Sequence, residues 1–162
     1  NRLAKRNKIS AGSVSFIIKQ NNLRYKWALN KTRSNLKKKN PTICIWGLSY
    51  KKDSTSTKNA ASLELLKALK GKATITAYDP MAIMPRNVNG YERYNDKYKA
   101  LNNSDCLLIL TEWDEFQKVD IKRLMKNMSK PLIIDAIGIL NNQRAQLINC
   151  NYISMGVSER SY

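Results

Sequence analysis

The chain has 162 residues, 29 Lys and Arg against 12 Asp and Glu, a formal net charge of +17 and no histidine. That length suits one domain with its own core plus an appendage. Without imidazole, Ser-His-Asp and Cys-His nucleophile pairs are excluded and the commonest metal ligand is missing. No stretch approaches the ~20 consecutive apolar residues of a membrane span, and the charged N-terminal region lacks the apolar centre of a signal peptide. These features read as a soluble, cytoplasmic chain without a membrane partner.

Residues 1–40 hold twelve of the basic residues and no acid. Such an arm suits nucleic acid or another polyanion, although a solvated helix face is the commoner origin of a charge run. Over 14–36 the apolar positions Ile18, Tyr25, Leu29 and Leu36 step by seven, four and seven, which places them on one helical face. Lys37, Lys38 and Lys39 complement the helix dipole, and Pro41 ends the run. A leading helix this long exceeds what one domain core needs, so its stripe is expected to pack on a second copy of the chain or on another domain.

Beyond Pro41 short β-rich runs alternate with helical ones, the pattern of an open parallel α/β sheet of about five strands. Strands are predicted at 42–46, 73–78, 105–110, 131–135 and 152–155, and helices at 62–70, 96–101, 120–128 and 142–148. The stretch 81–95, with Pro85 and Gly90, reads as a loop. Residues 1–40 and 41–162 therefore divide into a helical region and a Rossmann-like domain.

Between the first strand and the next helix lies Gly47-Leu48-Ser49-Tyr50-Lys51-Lys52-Asp53-Ser54-Thr55-Ser56-Thr57, followed by Lys58. A loop in this position of an α/β sheet is where nucleotides bind, because strand ends and a helix N-terminus converge there. Its lysines supply charge, and its six hydroxyls could serve as short donors to phosphate oxygens. Asp79, at the tip of the second strand, is either a ribose contact or a turn-forming acid before Pro80. Trp113 reads as an aromatic anchor for its loop. Cys44, Cys106 and Cys150 lack metal-type spacing and read as buried thiols.

Gly47-Leu48-Ser49-Tyr50-Lys51, Tyr78-Asp79-Pro80 and Thr111-Glu112-Trp113-Asp114-Glu115-Phe116, in that order and spacing, resemble the C-terminal, UDP-sugar-binding domain of the UDP-glucose/GDP-mannose dehydrogenase family. The resemblance extends over roughly 13–156. It implies that Lys51 contacts a nucleotide sugar, that the backbone of Tyr50 lines the same site, and that Lys58 stands where the family has an arginine near the cofactor, NAD. It also implies that the long helix, with Asn21, belongs to a central dimerising region, and that the whole enzyme oxidises a sugar C6 alcohol to a carboxylate. The family's Gly-x-Gly-x-x-Gly and Gly-x-Cys-x-Pro-Lys motifs are absent from this sequence, so no catalytic role passes to its cysteines and the chain is expected to be an inactive fragment. Two departures stand out: Thr55-Ser56 replaces an Asp pair, and Asp135-Ala136-Ile137-Gly138 lacks the arginine of Asp-Gly-Arg. The alternative is a stand-alone Rossmann-like module that holds a polyanion on its basic helix. The loop cations have no interleaved aromatic residues, so nucleic acid is not the expected partner.

Overall fold

The computed structural model describes residues 11–156. The basic residues of 1–10 and the side chains of Ile18 and Asn21 lie outside the described residues. Helix α1 (Ala11–Asn35) leads into strand β1 (Thr42–Trp46), helix α2 (Ala61–Leu69), β2 (Thr74–Tyr78) and β3 (Glu92–Tyr94). Then follow α3 (Lys97–Leu101), β4 (Ser104–Ile109), α4 (Asp114–Gln117), α5 (Ile121–Lys126), β5 (Met128–Asp135), a 3₁₀ helix (Asn141–Leu147) and β6 (Asn151–Ser154).

The six strands form one parallel sheet in the order β3-β2-β1-β4-β5-β6. This is the doubly wound Rossmann order, whose winding reverses between β1 and β4. Strand alternation splits the core in two. Ile43, Ile45, Cys106 and Leu108 face one layer with α1 and α2, while Cys44, Trp46, Leu107 and Ile109 face the other with Phe116, Leu124 and Leu147. Covered on both faces, the central strands read as unbroken apolar runs.

The structure has one strand more than the sequence suggests. β3 lies inside the stretch read as a loop; it is three residues long, sits at the sheet edge and is mostly exposed, so it carries no apolar period. Residues 141–147 wind as 3₁₀ rather than α-helix, and the short α4 was not anticipated.

A further difference concerns α1. Its apolar stripe turns back onto its own domain: Ala28 and Leu29 are buried, and Tyr25, Trp27 and Leu36 pack against the layer formed with α2. Just beyond the helix, Lys38 reaches Asp105 at 2.8 Å, and the Thr42 N–H donates to the same carboxylate at 2.8 Å. Burial opposes the charge of Asp105, but these partners outweigh it and hold its carboxyl below the usual range. No helix among the described residues is long and apolar enough to cross a membrane.

Because Leu29 is 6% exposed within this packing, Leu29→Ala should lower unfolding free energy by about 2–4 kcal/mol. Denaturant unfolding checks this. A loss under about 0.5 kcal/mol, the size of an ordinary surface substitution, would show that α1 does not dock on the sheet.

Candidate functional site

At the carboxyl end of β1 the backbone turns sharply at Gly47. Its φ is +93°, and an added Cβ would fall 2.6 Å from the Thr111 side chain. Glycine is thus required on two counts, the left-handed conformation and the close approach of the β4 loop. The Thr111 hydroxyl then donates to the Ser49 carbonyl at 2.7 Å, and Gly47 N–H donates to the Tyr78 carbonyl at 2.9 Å.

The next link is Asp79. Its side chain accepts from the N–H groups of Leu48 (2.7 Å), Ser49 (3.0 Å), Met81 (2.9 Å) and Ala82 (2.7 Å), from the Ser49 hydroxyl (3.0 Å) and from the Trp113 indole (3.1 Å). Asp79 is only 3% exposed. Burial alone would push its carboxyl pKa up, but the amides of Ser49, Met81, Ala82 and Leu48 outweigh that and hold it below the usual range. With its oxygens so occupied, the carboxylate serves the three loops; of the two readings of Asp79, the turn-forming acid describes it and the ribose contact does not.

The loop continues as a folded hairpin-like excursion. Tyr50 N–H donates to the Ser56 carbonyl at 3.0 Å, Ile83 N–H to the Thr55 carbonyl at 2.8 Å, and the Thr57 hydroxyl to the Ile83 carbonyl at 3.2 Å. The Ser62 hydroxyl closes the base by donating to the Leu48 carbonyl at 2.6 Å. Ser54 and Ser56 accept from the N–H groups of Ser56 and Lys58. Two of the six loop hydroxyls, those of Ser49 and Thr57, thus spend their donors on the loop's own fold, whereas those of Ser54 and Ser56 accept from backbone and keep an O–H to donate.

Tyr50 and Lys51 sit together at the winding reversal, where the β1 and β4 loops face each other. Lys51 is exposed, and its ammonium lies 5.6 Å from the Tyr50 ring centroid. Lys52 instead reaches across to Asp114 at 3.0 Å, which raises its pKa through that hydrogen bond and charge. Lys58 is placed apart from this pair. It lines a cavity of about 750 Å³ beside the start of α2, with Asn22 of α1, Thr55, Asn59, Lys67 and Ile83; neither Tyr50 nor Lys51 borders it. Ala60, at the N-cap of α2, supplies no side-chain acceptor.

Two residues of the motif blocks have roles that spacing does not reveal. Asp135, fully buried at the end of β5, accepts from the N–H groups of Ile137, Gly138 and Leu140 and from the Tyr152 hydroxyl at 2.7–3.0 Å. Its position at a strand end before Gly138 was the available signal. Glu115 joins the Tyr78 hydroxyl at 2.9 Å to Lys97 at 2.9 Å, and burial followed by Glu115 raises the Tyr78 pKa. The thiols offer no activated nucleophile: burial pushes Cys44 up to about 12, raises Cys106 as well, and takes Cys150 to about 11. Trp113 is buried as a loop anchor.

A doubly wound sheet with a lysine-bearing loop at its winding reversal defines a nucleotide-binding α/β domain. Residues 44–142 match the UDP-glucose/GDP-mannose dehydrogenase family, UDP binding domain, and the chain belongs to that family. Among curated relatives, it is 28% identical to UDP-glucose 6-dehydrogenase of Rickettsia bellii (strain RML369-C) across 96% of this chain and 38% of that protein. It is 30% identical to UDP-glucose 6-dehydrogenase TuaD of Bacillus subtilis (strain 168) across 73% of this chain and 26% of that one. The chain thus spans little more than a third, or less, of the length of these relatives. The same fold recurs in the UDP-D-ManNAc dehydrogenase of Pyrococcus horikoshii, with a TM-score of 0.65 at 21% identity over 82% of this chain and 30% of that one. It recurs also in a UDP-glucose dehydrogenase of Pyrobaculum islandicum, with a TM-score of 0.65 at 14% identity over 96% of this chain and 34% of that one.

The sign of the Asp79 shift fixes a pH dependence. A carboxyl held below its ordinary value adds stability above that value, about 3.9, and the contribution is lost as pH falls through the folded-state value. Asp79→Asn should therefore cost at least about 2–3 kcal/mol near neutral pH, since hydrogen bonds to a charged group are worth that much. The gap to the native protein should narrow by about pH 3.5, below the ordinary Asp value. Urea unfolding at both pH values reads it, and a gap independent of pH would contradict the assignment.

Proposed function

We propose that this chain supplies the nucleotide-sugar-binding part of an NAD-dependent, UDP-glucose 6-dehydrogenase-like enzyme that oxidises the sugar C6 alcohol to a uronate for polysaccharide synthesis in the cytoplasm. The observation that carries this reading is the placement of Tyr50 and Lys51 at the winding reversal, on a backbone fixed by Asp79 and Thr111. In it Lys51 contacts the diphosphate of a UDP-sugar as a point charge, and the Tyr50 backbone lines the same crevice. Residues 1–40 form the end of the central helical region in this proposal, and 41–162 the binding domain.

Lys58 and the uncapped N–H groups at the start of α2, beside a Glu64–Lys67 pair that balances its own charge, make the adjoining cavity the place for an anionic portion of NAD. NAD, when bound, accepts the hydride. This chain's share is to bind and orient the sugar nucleotide and to place a cation at the cofactor's edge. The dinucleotide fingerprint and the cysteine motif are absent from the sequence, so the chain alone should produce no NADH from UDP-glucose and NAD. NADH above a heat-treated control, followed at its absorbance, would overturn that expectation.

Self-association through 14–36 belongs to the same proposal. Leu23 remains 46% exposed on α1, while the lower part of the stripe is covered by the chain's own core. Sedimentation at tens of micromolar, roughly the range of ordinary oligomer affinities, should show a dimer that Leu23→Lys weakens.

UDP should raise the thermal midpoint of the chain, and Lys51→Ala should remove most of that rise. Loss of one charge-assisted hydrogen bond, about 1.5–3 kcal/mol, corresponds to roughly a 10- to 150-fold drop in affinity. The unliganded midpoint should move by less than about 1 °C, because an exposed loop lysine contributes little to folding. Stabilisation by duplex DNA with a steep salt dependence, and none by UDP, would favour the polyanion module instead.

A further inference from the structure

On the sheet face opposite α1 and α2 lies a groove of about 470 Å³ lined by Tyr94, Tyr98, Lys99, Asn102, Arg123 and Asn127. It shares no residue with the Tyr50–Lys51 crevice or the Lys58 cavity. Its volume falls within the ~300–1,000 Å³ of small-molecule sites.

The cations here are held in an unusual way. The Arg123 guanidinium lies 4.0 Å from the centroid of the Tyr98 ring. That ring is itself fixed: Tyr98 is 9% exposed, stands edge-on to Trp46, and its hydroxyl accepts from the Asp120 N–H at 3.0 Å. Stacking restricts the guanidinium without using its N–H donors, so less freedom remains to be lost when an anion arrives. Among the described residues, neither Arg123 nor Lys99 forms an ion pair.

No carboxylate lines the groove. The acids closest in sequence cap helices: Asp120 caps α5 through the Arg123 N–H at 3.0 Å, and Asp96 caps α3 through the Lys99 N–H at 2.8 Å. Two like charges from separate helices thus face one concavity, and among the described residues no carboxylate stands within ion-pair distance of either. Beside them, the Asn127 Nδ2 donates to the Arg123 carbonyl at 2.7 Å, which leaves its Oδ1 as an acceptor, and half-buried Tyr94 offers an aromatic surface.

We propose that this groove binds a phosphate monoester that carries a flat ring, of the nucleoside monophosphate class. Arg123 and Lys99 take the phosphate, the Arg123 fork matching its oxygens bidentately. Tyr94 stacks on the ring, and Asn102 and Asn127 meet the remaining polar groups. The proposal does not depend on the role of Lys51.

Titration of the chain with AMP, followed by calorimetry, tests it. Saturable binding is expected with a Kd of about 0.1–1 mM, the range open to a small ligand in a shallow groove. Arg123→Gln should weaken it about 10-fold or more, the effect of losing a charge-assisted bond. Lys99→Gln, at an exposed position that no packing depends on, should weaken it several-fold. Inorganic phosphate should bind at least about 5-fold more weakly than AMP, since it has no ring to stack. Absence of saturation up to about 10 mM, or affinity retained in both Arg123→Gln and Lys99→Gln, would overturn the site. Phosphate that binds as tightly as AMP would overturn the mononucleotide assignment.

Discussion

The carboxylate of Asp79 is the constraint on which the ligand-facing edge of this domain depends. It is one buried charge that gathers donors from three loops, those following β1, β2 and β4. Removing a carboxylate from water is costly unless its lone pairs are filled, and here backbone amides, a hydroxyl and an indole fill them. Each donor is held in place by the others. The Leu48–Ser49 backbone cannot shift without uncovering Asp79, and Trp113 cannot turn without abandoning it. The result is a preorganised platform under half-buried Tyr50 and exposed Lys51, whose backbone leads out of a fixed turn.

Asp135 repeats the device at the end of β5, with amides from its own loop and a tyrosine from β6. The two buried acids point inward and are filled, whereas Lys51, Lys52 and Lys58 remain exposed. The carboxyl edge of the sheet therefore uses two buried acids to shape its loops, and it presents the three lysines to solvent beside the exposed Asp53 and Asp114. At the opposite edge Asp105 performs a third task, tying the end of α1 to the sheet through Lys38.

Much of the fold is legible in the sequence because its signals are short in range. The apolar runs of β1 and β4, the Gly47 turn and the three motif blocks each lie within a few residues, and their order places the crevice. β3 was not legible, since Glu92–Tyr94 is three residues long and carries no apolar alternation, and the Asn89-Gly90 pair before it marks a turn without saying that a strand follows. The role of Asp79 was legible only as a choice between two local readings. Its actual role requires Leu48, Ser49 and Trp113 to converge, and no spacing along the chain reports that. In the hydroxyl-rich loop no spacing tells which hydroxyls turn inward, as those of Ser49 and Thr57 do, because Ser and Thr bond nearby protein groups as readily as a ligand. The stripe of α1 announced an apolar face correctly, but periodicity does not say what covers it, and Tyr25, Leu29 and Leu36 turn out to be covered by the chain itself.

The pair of adjacent lysines shows how this edge can respond to charge. Lys51 has only a ring contact, whereas Lys52 is held by Asp114 across the crevice. Both members of that pair are well exposed, at 44% and 73% of their side-chain area. Exposed pairs of this kind are worth about 0.2–1 kcal/mol, less than the ~1.5–3 kcal/mol of a charge-assisted hydrogen bond in a drier setting. Among the described residues Lys51 therefore has no ion pair to break, whereas moving Lys52 would uncover Asp114. The second cation is held by a weak bond, while the turn that leads into both is held by strong ones.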